Sequence, residues 1–299
     1  DEFGIPHRPI SRAGRGTVGL ARELLRRETA LMGEVRRFRP QVMLGFGGVA
    51  ISHVGRLMRV PTAVHYDSEN ATMQTRLAWP FVDSLTVPEA YTGVTPEART
   101  RRLAGIKELS FFAPSAFRPD RQRALAAGLD PARANIVMRL VEWRANHDIG
   151  KAGWSDAEAE AIVAALAPKA KLHVLAEGVL PDALVPHRYN GKTADIHHLM
   201  AFSDALIGES ATMASEAVAL GVPALYAGQD FPGYTEGLAR AGLVTLVRPD
   251  ERKALVGRAL MLLDDREGFD ARCAQWLSKC PDWAEDVVAE ADRMACAPW

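Results

Sequence analysis

Short apolar runs and amphipathic stretches alternate along most of the chain. Residues 16–38 carry Leu20, Leu24, Leu25, Ala30, Met32 and Val35 at helical spacing, which predicts one long helix ended by Pro40. Strands are predicted at 42–46, 62–66 and 84–87, with helices at 52–58 and 69–78 between them. Thr95-Pro96-Glu97 has the order of a helix cap, a first-turn proline and an early acid, and predicts a helix through about Leu103. Phe111, Phe112 and Phe117 read as packing at a domain edge, and Pro114, Pro119 and Asp120 as a linker. In the second half, strands are predicted at 134–141, 171–176, 205–208, 224–227 and 243–247, with a short one near 187–189. Helices are expected at 195–202 and 211–220 and beyond 247, and Ser155-Asp156-Ala157-Glu158 is a capping box for another ending near Leu166. Strands and helices alternating at this pace predict parallel sheets with helices on both faces. We expect an N-terminal domain over 1–128 and a second over 129–282, followed by a closing helix in 283–299.

Composition narrows the class. The 299 residues suffice for two ordinary domains, and a net charge of -1 argues against a nucleic-acid partner. Cys273, Cys280 and Cys296 lack CxxC spacing and a neighbouring His cluster, which points to a reducing, cytoplasmic setting without a metal site. No apolar run reaches the ~18 residues of a membrane span. Asp1-Glu2-Phe3-Gly4-Ile5-Pro6 reads as the middle of a domain, so an opening βα or βαβ segment is expected to be missing.

The candidate chemistry centres on residues 203–230. A helix starting at Ser210-Ala211-Thr212 offers backbone N–H groups, hydroxyls and the positive end of its dipole to an anion above the strand end. Diphosphate suits that place. Glu216 lies one turn further on the face of Thr212, where a carboxylate suits a pair of sugar hydroxyls. The plain alternative is a strand–turn–helix unit that binds nothing, and neither GxGxxG nor GxxxxGK[ST] is present. Gly47 and Gly48 permit close backbone approach at an earlier strand end. His65, Asp67 and Glu69 gather at another, where their alternative role is helix capping. Lys107 reads as an anion contact or an ordinary surface lysine. Arg139 interrupts an apolar strand and so predicts a carboxylate or ligand anion beside it. Arg22, Arg26, Arg27, Arg36 and Arg37 line one face of the first helix, which reads as solvated or, more sharply, as contacting anionic lipid.

The segments GFGGVAISHVGRL, DSENATMQTRLAWPF, GIKELSFFAPSAF, IVMRLVEWRANHD and DIHHLMAFSDALIGESATMASEAVALGVPAL, with the trailing GQDFPGYTEGL, together carry a resemblance. The chain resembles a bacterial and archaeal family described as predicted glycosyltransferases, related to GT-B transferases and non-hydrolysing UDP-N-acetylglucosamine 2-epimerases. The resemblance implies two Rossmann-like domains with the active site in the cleft between them, and a last helix crossing back to the first domain. It implies a donor site in which Ser210, Ala211 and Thr212 hold the diphosphate and Glu216 the ribose. Gln229 and Asp230 would lie near the donor sugar, residues 189–192 near the base, and Arg139 and His147 would face the cleft. The acceptor side would hold Gly47, Gly48, His53 and Lys107, with Asp67, Glu69 or His65 as the catalytic groups. Ala211-Thr212 departs from the Gly-Gly of the epimerase loop.

The expected activity is transfer of a sugar from a UDP-type donor to a glycan or lipid-linked hydroxyl acceptor, without metal or further cofactor. A 2-epimerase and a non-catalytic sugar-nucleotide or lipid-diphosphate binding module are the alternatives.

Overall fold

The computed structural model describes residues 7–296 apart from 12, 13, 15, 114, 142–152 and 177. The chain divides into two compact units, one made of Asp1–Ala104 with Pro281–Trp299 and the other of Gly105–Cys280. The division thus falls at 104/105 and 280/281, where the sequence pattern suggested 128/129 and 282/283. The Phe111–Phe112–Phe117 cluster packs on His197 and His198, which assigns residues 105–128 to the second unit.

The first unit begins with α1 (Gly16–Phe38) and continues β1 (Met43–Phe46), α2 (Val49–Met58), β2 (Thr62–His65), α3 (Thr72–Ala78), β3 (Ser84–Pro88) and β4 (Thr100–Leu103). Its four strands are parallel, in the order β1-β2-β3-β4. Val64 and Tyr66 extend from β2 into a core with Trp79, Val82, Leu85, Val87 and Tyr91. Val35 of α1 closes over Met43 and Val54. The helix expected through Leu103 is instead a short 3-10 turn, Glu97–Arg99, followed by β4. That strand is legible only with its partners: Arg101 reaches Asp286 at 2.6 Å and Glu290 at 3.4 Å. Arg102 donates to the Tyr91 carbonyl. The helix at 69–78 starts later than expected, at Thr72, without a side-chain cap.

The second unit runs α4 (Leu109–Phe112), α5 (Arg121–Ala126), β5 (Ala134–Leu140), α6 (Asp156–Leu166), β6 (Ala170–Ala176), α7 (Ile196–Ala201), β7 (Ala205–Gly208), α8 (Ala211–Ala219), β8 (Ala224–Tyr226), α9 (Gly233–Arg240), β9 (Val244–Leu246), α10 (Leu255–Met261) and α11 (Arg266–Leu277). Asp120, expected in a linker, caps α5 by accepting from the N–H groups of Gln122 and Arg123. The Ser155–Glu158 capping box forms as expected. The strand expected near 187–189 is a 3-10 turn and a single bridge from Arg188 to Val174. The five strands are parallel, in the order β6-β5-β7-β8-β9. Ile136, Met138, Leu172, Val174, Ala205, Ile207 and Leu225 form a core with α6 and α10, while α8 lies against β7 and β8. The last helix, α12 (Trp283–Cys296), belongs to the first unit, where the Trp283 indole donates to the Ala104 carbonyl. Among the described residues no helix is long and apolar enough to cross a membrane.

Candidate functional site

In the second unit the chain enters the sheet at β5, places β6 on one side and then crosses to place β7 on the other. The reversal opens a crevice above the carboxyl ends of β5 and β7, the position at which open parallel sheets bind ligands. Arg139 and Gly208 face each other in register at that end. A Cβ on Gly208 would lie 2.3 Å from the Arg139 carbonyl oxygen, so only glycine allows the two strands to approach this closely. Arg139 itself is half-buried.

The β7–α8 turn follows. Ser210 caps α8, its Oγ accepting from the Met213 N–H at 3.2 Å. The bond uses Oγ as an acceptor and leaves the Ser210 O–H to donate. The first-turn N–H groups of Ala211 and Thr212 have no intrahelical acceptor, as at any helix start, and the Thr212 side chain is exposed. Ala214, Ala217 and Val218 are fully buried, so the small side chains of α8 seat its start close to the strand end. Glu216 is largely enclosed, and its Oε2 lies 3.3 Å from His197 Nε2 on α7.

Two more groups of the same unit border this end of the sheet. The Tyr226 hydroxyl, at the end of β8, donates to the Asp230 carbonyl and thereby shapes the turn that carries Gln229 and Asp230. Burial, and then the neighbouring Asp230 and Glu209 charges, push the Tyr226 phenol up. The Tyr189 hydroxyl donates to the Lys192 carbonyl at 2.8 Å, closing the 189–192 turn on itself. Lys107, placed by sequence on the acceptor side, is instead in the second unit. Its Nζ meets Glu108 Oε1 at 2.5 Å and sits 5.6 Å from the centre of the Tyr234 ring on α9. Glu108 is 1% exposed, so this pair anchors a buried carboxylate as much as it presents a cation. His147 lies outside the described residues.

Sequence reasoning passed over Glu209 and His197. Glu209, 3% exposed, accepts from the backbone N–H of Val141 at 3.1 Å and of Trp154 at 2.6 Å. An acid after a strand-end glycine reads as loop, and nothing local shows that two distant N–H groups converge on it. His197 lies in the segment DIHHLM, and its partner Glu216 is a helix away.

In the first unit the carboxyl ends of β1 and β2 come together through the Gly47 N–H, which donates to the His65 carbonyl at 3.0 Å. Gly47 and Gly48 both have positive φ, and a Cβ on Gly47 would lie 2.1 Å from Gln74 Nε2. The glycine turn therefore lets α3 close over the strand ends. Asp67, 3% exposed, accepts from Ser68 Oγ at 2.8 Å. Glu69 accepts from the N–H and Oγ1 of Thr92. Burial and then these two carboxylates raise the Tyr66 phenol to about 12, and burial followed by Glu69 raises that of Tyr91.

His65 and His53 are not brought to this group. Strand alternation turns His65 away from Tyr66, toward Arg101, Asp286 and Glu290. There its Nε2 is buried without a hydrogen bond, and burial lowers its pKa. His53 ties helices together: Nδ1 meets Glu28 Oε1 at 2.5 Å, Nε2 lies 2.9 Å from the Leu77 carbonyl oxygen, and the ring packs edge-on against Phe81. Both nitrogens are occupied by the α1–α2–α3 packing.

Two parallel-sheet α/β units of this construction define a GT-B-like fold. The chain is 27% identical, over 93% of its length and 80% of the relative's, to a UDP-N-acetylglucosamine–N-acetylmuramyl-(pentapeptide) pyrophosphoryl-undecaprenol N-acetylglucosamine transferase of Solidesulfovibrio magneticus. No family model matches it. Among solved structures it is similar to the UDP-GlcNAc 2-epimerase of Neisseria meningitidis bound to UDP-GlcNAc, with TM-score 0.61 and 14% identity over 90% of this chain and 80% of that one. It is also similar to the MurG of Acinetobacter baumannii, with TM-score 0.55 and 14% identity over 98% and 86%. The rhamnosyltransferase SpnG complexed with thymidine diphosphate has TM-score 0.60 and 15% identity over 90% and 78%.

Proposed function

We propose that this chain is a GT-B-type glycosyltransferase that moves a sugar from a nucleoside-diphosphate donor, UDP-linked, to a hydroxyl acceptor on a glycan or lipid-linked intermediate. The observation that carries the reading is the β5/β7 switch point with the start of α8 directly above it. The curated relative, a transferase using a UDP-sugar, supports the enzyme class and the donor type.

In this reading the N–H groups of Ala211 and Thr212, with the α8 dipole, meet the diphosphate. Negative charge grows on that diphosphate as the glycosidic bond breaks, and donors already fixed in place stabilise it without reorganising. Ser210 holds the helix start through its Oγ and keeps its O–H to donate to the diphosphate. Arg139 adds positive charge at the neighbouring strand end, with Lys107 on the same unit. Glu216 takes the ribose hydroxyls, Gln229 and Asp230 border the sugar, and the 189–192 turn borders the base. No metal or further cofactor is assigned a step. Asp67 and Glu69 are the carboxylates offered as general base for the acceptor hydroxyl, and Gly47 and Gly48 shape the acceptor side.

A cytoplasmic setting with peripheral contact to an anionic membrane belongs to the same proposal. Its support is α1, where Arg22, Arg26 and Arg36 are exposed beside the exposed apolar Val18, Leu25 and Phe38.

The test is calorimetric titration with UDP, UDP-sugars and uridine. Binding of UDP but not uridine, lost in Ala211→Asp through charge repulsion at the helix start, is the expected result. Equal UDP affinity in Ala211→Asp removes the diphosphate from this place. Solvent deuterium appearing at C2 of a UDP-sugar without acceptor would make the chain a 2-epimerase instead.

A further inference from the structure

We infer that His197 is a positioning residue that sets Glu216 to select ribo- over 2′-deoxyribonucleoside diphosphates. The inference rests on the donor-site reading above and adds to it a residue and a selectivity.

Glu216 and His197 approach from different helices. Glu216 projects from the second turn of α8, and His197 from the start of α7. His197 Nε2 lies 3.3 Å from Glu216 Oε2, while Glu216 Oε1 takes no hydrogen bond among the described residues. One carboxylate oxygen is therefore held and the other is left to accept. The imidazole is itself fixed from behind. Its ring lies 4.7 Å from that of Phe112, which is buried and packed edge-on between Phe111 and Phe117. The next residue, His198, accepts from the Asp120 N–H through Nδ1 and stacks on Phe117, which pins the same turn of α7. A free glutamate on a helix surface samples several rotamers, whereas this one is restricted by a donor that is already ordered.

A vicinal diol gives two O–H donors: Oε1 accepts one, and the second lone pair of Oε2, beside the His197 contact, accepts the other. A 2′-deoxyribose leaves one of those acceptors unpaired. An unmet acceptor on a charged group costs about ten- to a hundredfold in affinity, provided the carboxylate cannot turn away. His197 supplies that condition. Without it Glu216 can rotate toward solvent and the difference between the two sugars shrinks.

The experiment compares UDP with 2′-deoxy-UDP by calorimetry on the full chain and its variants. The unaltered protein is expected to favour UDP by about tenfold or more. Glu216→Ala should bind both alike. His197→Leu, which keeps apolar contact with Phe112 but has no donor, should lose most of the preference while retaining affinity for 2′-deoxy-UDP. His197→Gln, which restores an N–H at similar reach, should recover it. Full preference in His197→Leu, with Glu216→Ala having lost it, overturns the role of His197 and leaves the donor site standing. Failure of the unaltered protein to bind either nucleotide overturns the donor site and the inference with it.

Discussion

The Trp154 backbone N–H donates to the Glu209 carboxylate at 2.6 Å. The two residues join the approach to α6 with the turn that begins α8, and the Trp154 indole extends the link by donating to the Ala227 carbonyl at 2.9 Å. Arg252 donates to the same carbonyl at 2.7 Å and lies over the indole. One buried acid thus holds together the ends of three strands around the candidate donor site.

Replacing Glu209 with Ala leaves the Val141 and Trp154 N–H groups without their acceptor. The expected loss is about 2–4 kcal/mol, from hydrogen bonds to a charged group in a buried setting. Urea unfolding followed by tryptophan fluorescence checks it, and Glu209→Gln should recover less than half, because its amide N–H₂ faces one of the two donors. A loss below about 0.5 kcal/mol would mean that the three loops are held by other contacts.

Gly208→Ala should be costly for a different reason. The added methyl would meet backbone of Arg139 on both sides of its Cα, at 2.3 Å from O and 2.9 Å from N. Backbone in mid-sheet cannot yield as a side chain can, and the expected destabilisation is about 3 kcal/mol. Hydrogen exchange of the β5–β7 amides should show the loss there first.

His173 makes stability depend on pH. Burial, and then the Lys171 charge, lower its pKa to about 4, and Nε2 contacts Asn135 Oδ1 at 3.0 Å. The unfolded chain takes up the proton near the ordinary value of about 6.5, while the folded protein resists until the lower one. The contribution is therefore fully present above about pH 6.5 and is lost as pH falls toward 4. His65, lowered by burial, acts with the same sign. Urea midpoints between pH 7 and 4 should decline, and the slope should flatten in a His65→Leu, His173→Leu double variant. An unchanged slope would assign the acid limb to carboxylates.

Arg101 and Asp286 should be energetically coupled. Their 2.6 Å contact is supported by Glu290, which holds Arg293 at 2.6 Å. Burial alone would raise the Glu290 carboxyl, but hydrogen bonds from Arg293 and Ser84 outweigh it and the net shift is downward. A double-mutant cycle with Arg101→Ala and Asp286→Ala is expected to give about 1–2 kcal/mol of coupling in thermal unfolding. Additive effects would reduce the contact to a surface pair.

Much of the fold was legible because its signals are local. The apolar runs of β1, β5 and β7, the Ser155 capping box and the small-residue α8 each announce themselves within about ten residues. What escaped depends on partners far along the chain. Thr100-Arg101-Arg102-Leu103 resembles a charged helix until Asp286 is brought against Arg101. Asp120 resembles a linker residue until α5 is seen to start on it. The candidate site divides in the same way: the start of α8 and Glu216 lie within one local stretch of sequence, whereas the contacts of His197 and Glu209 come from side chains and N–H groups far along the chain. His65 and His53 attracted attention as chemically versatile residues, yet each is occupied by packing between elements.

The return of α12 to the first unit has a consequence for how the molecule is made. Residues 105–280 are one uninterrupted stretch and carry the five strands of their sheet, whereas the four-stranded unit before them draws its last helix from beyond that stretch. The first unit is translated earlier and completed later. Without 283–296, Arg101 lacks Asp286 and Glu290, and the Ala104 carbonyl lacks the Trp283 indole. The first unit thus depends for its closure on a segment that the chain supplies only after the whole of the second.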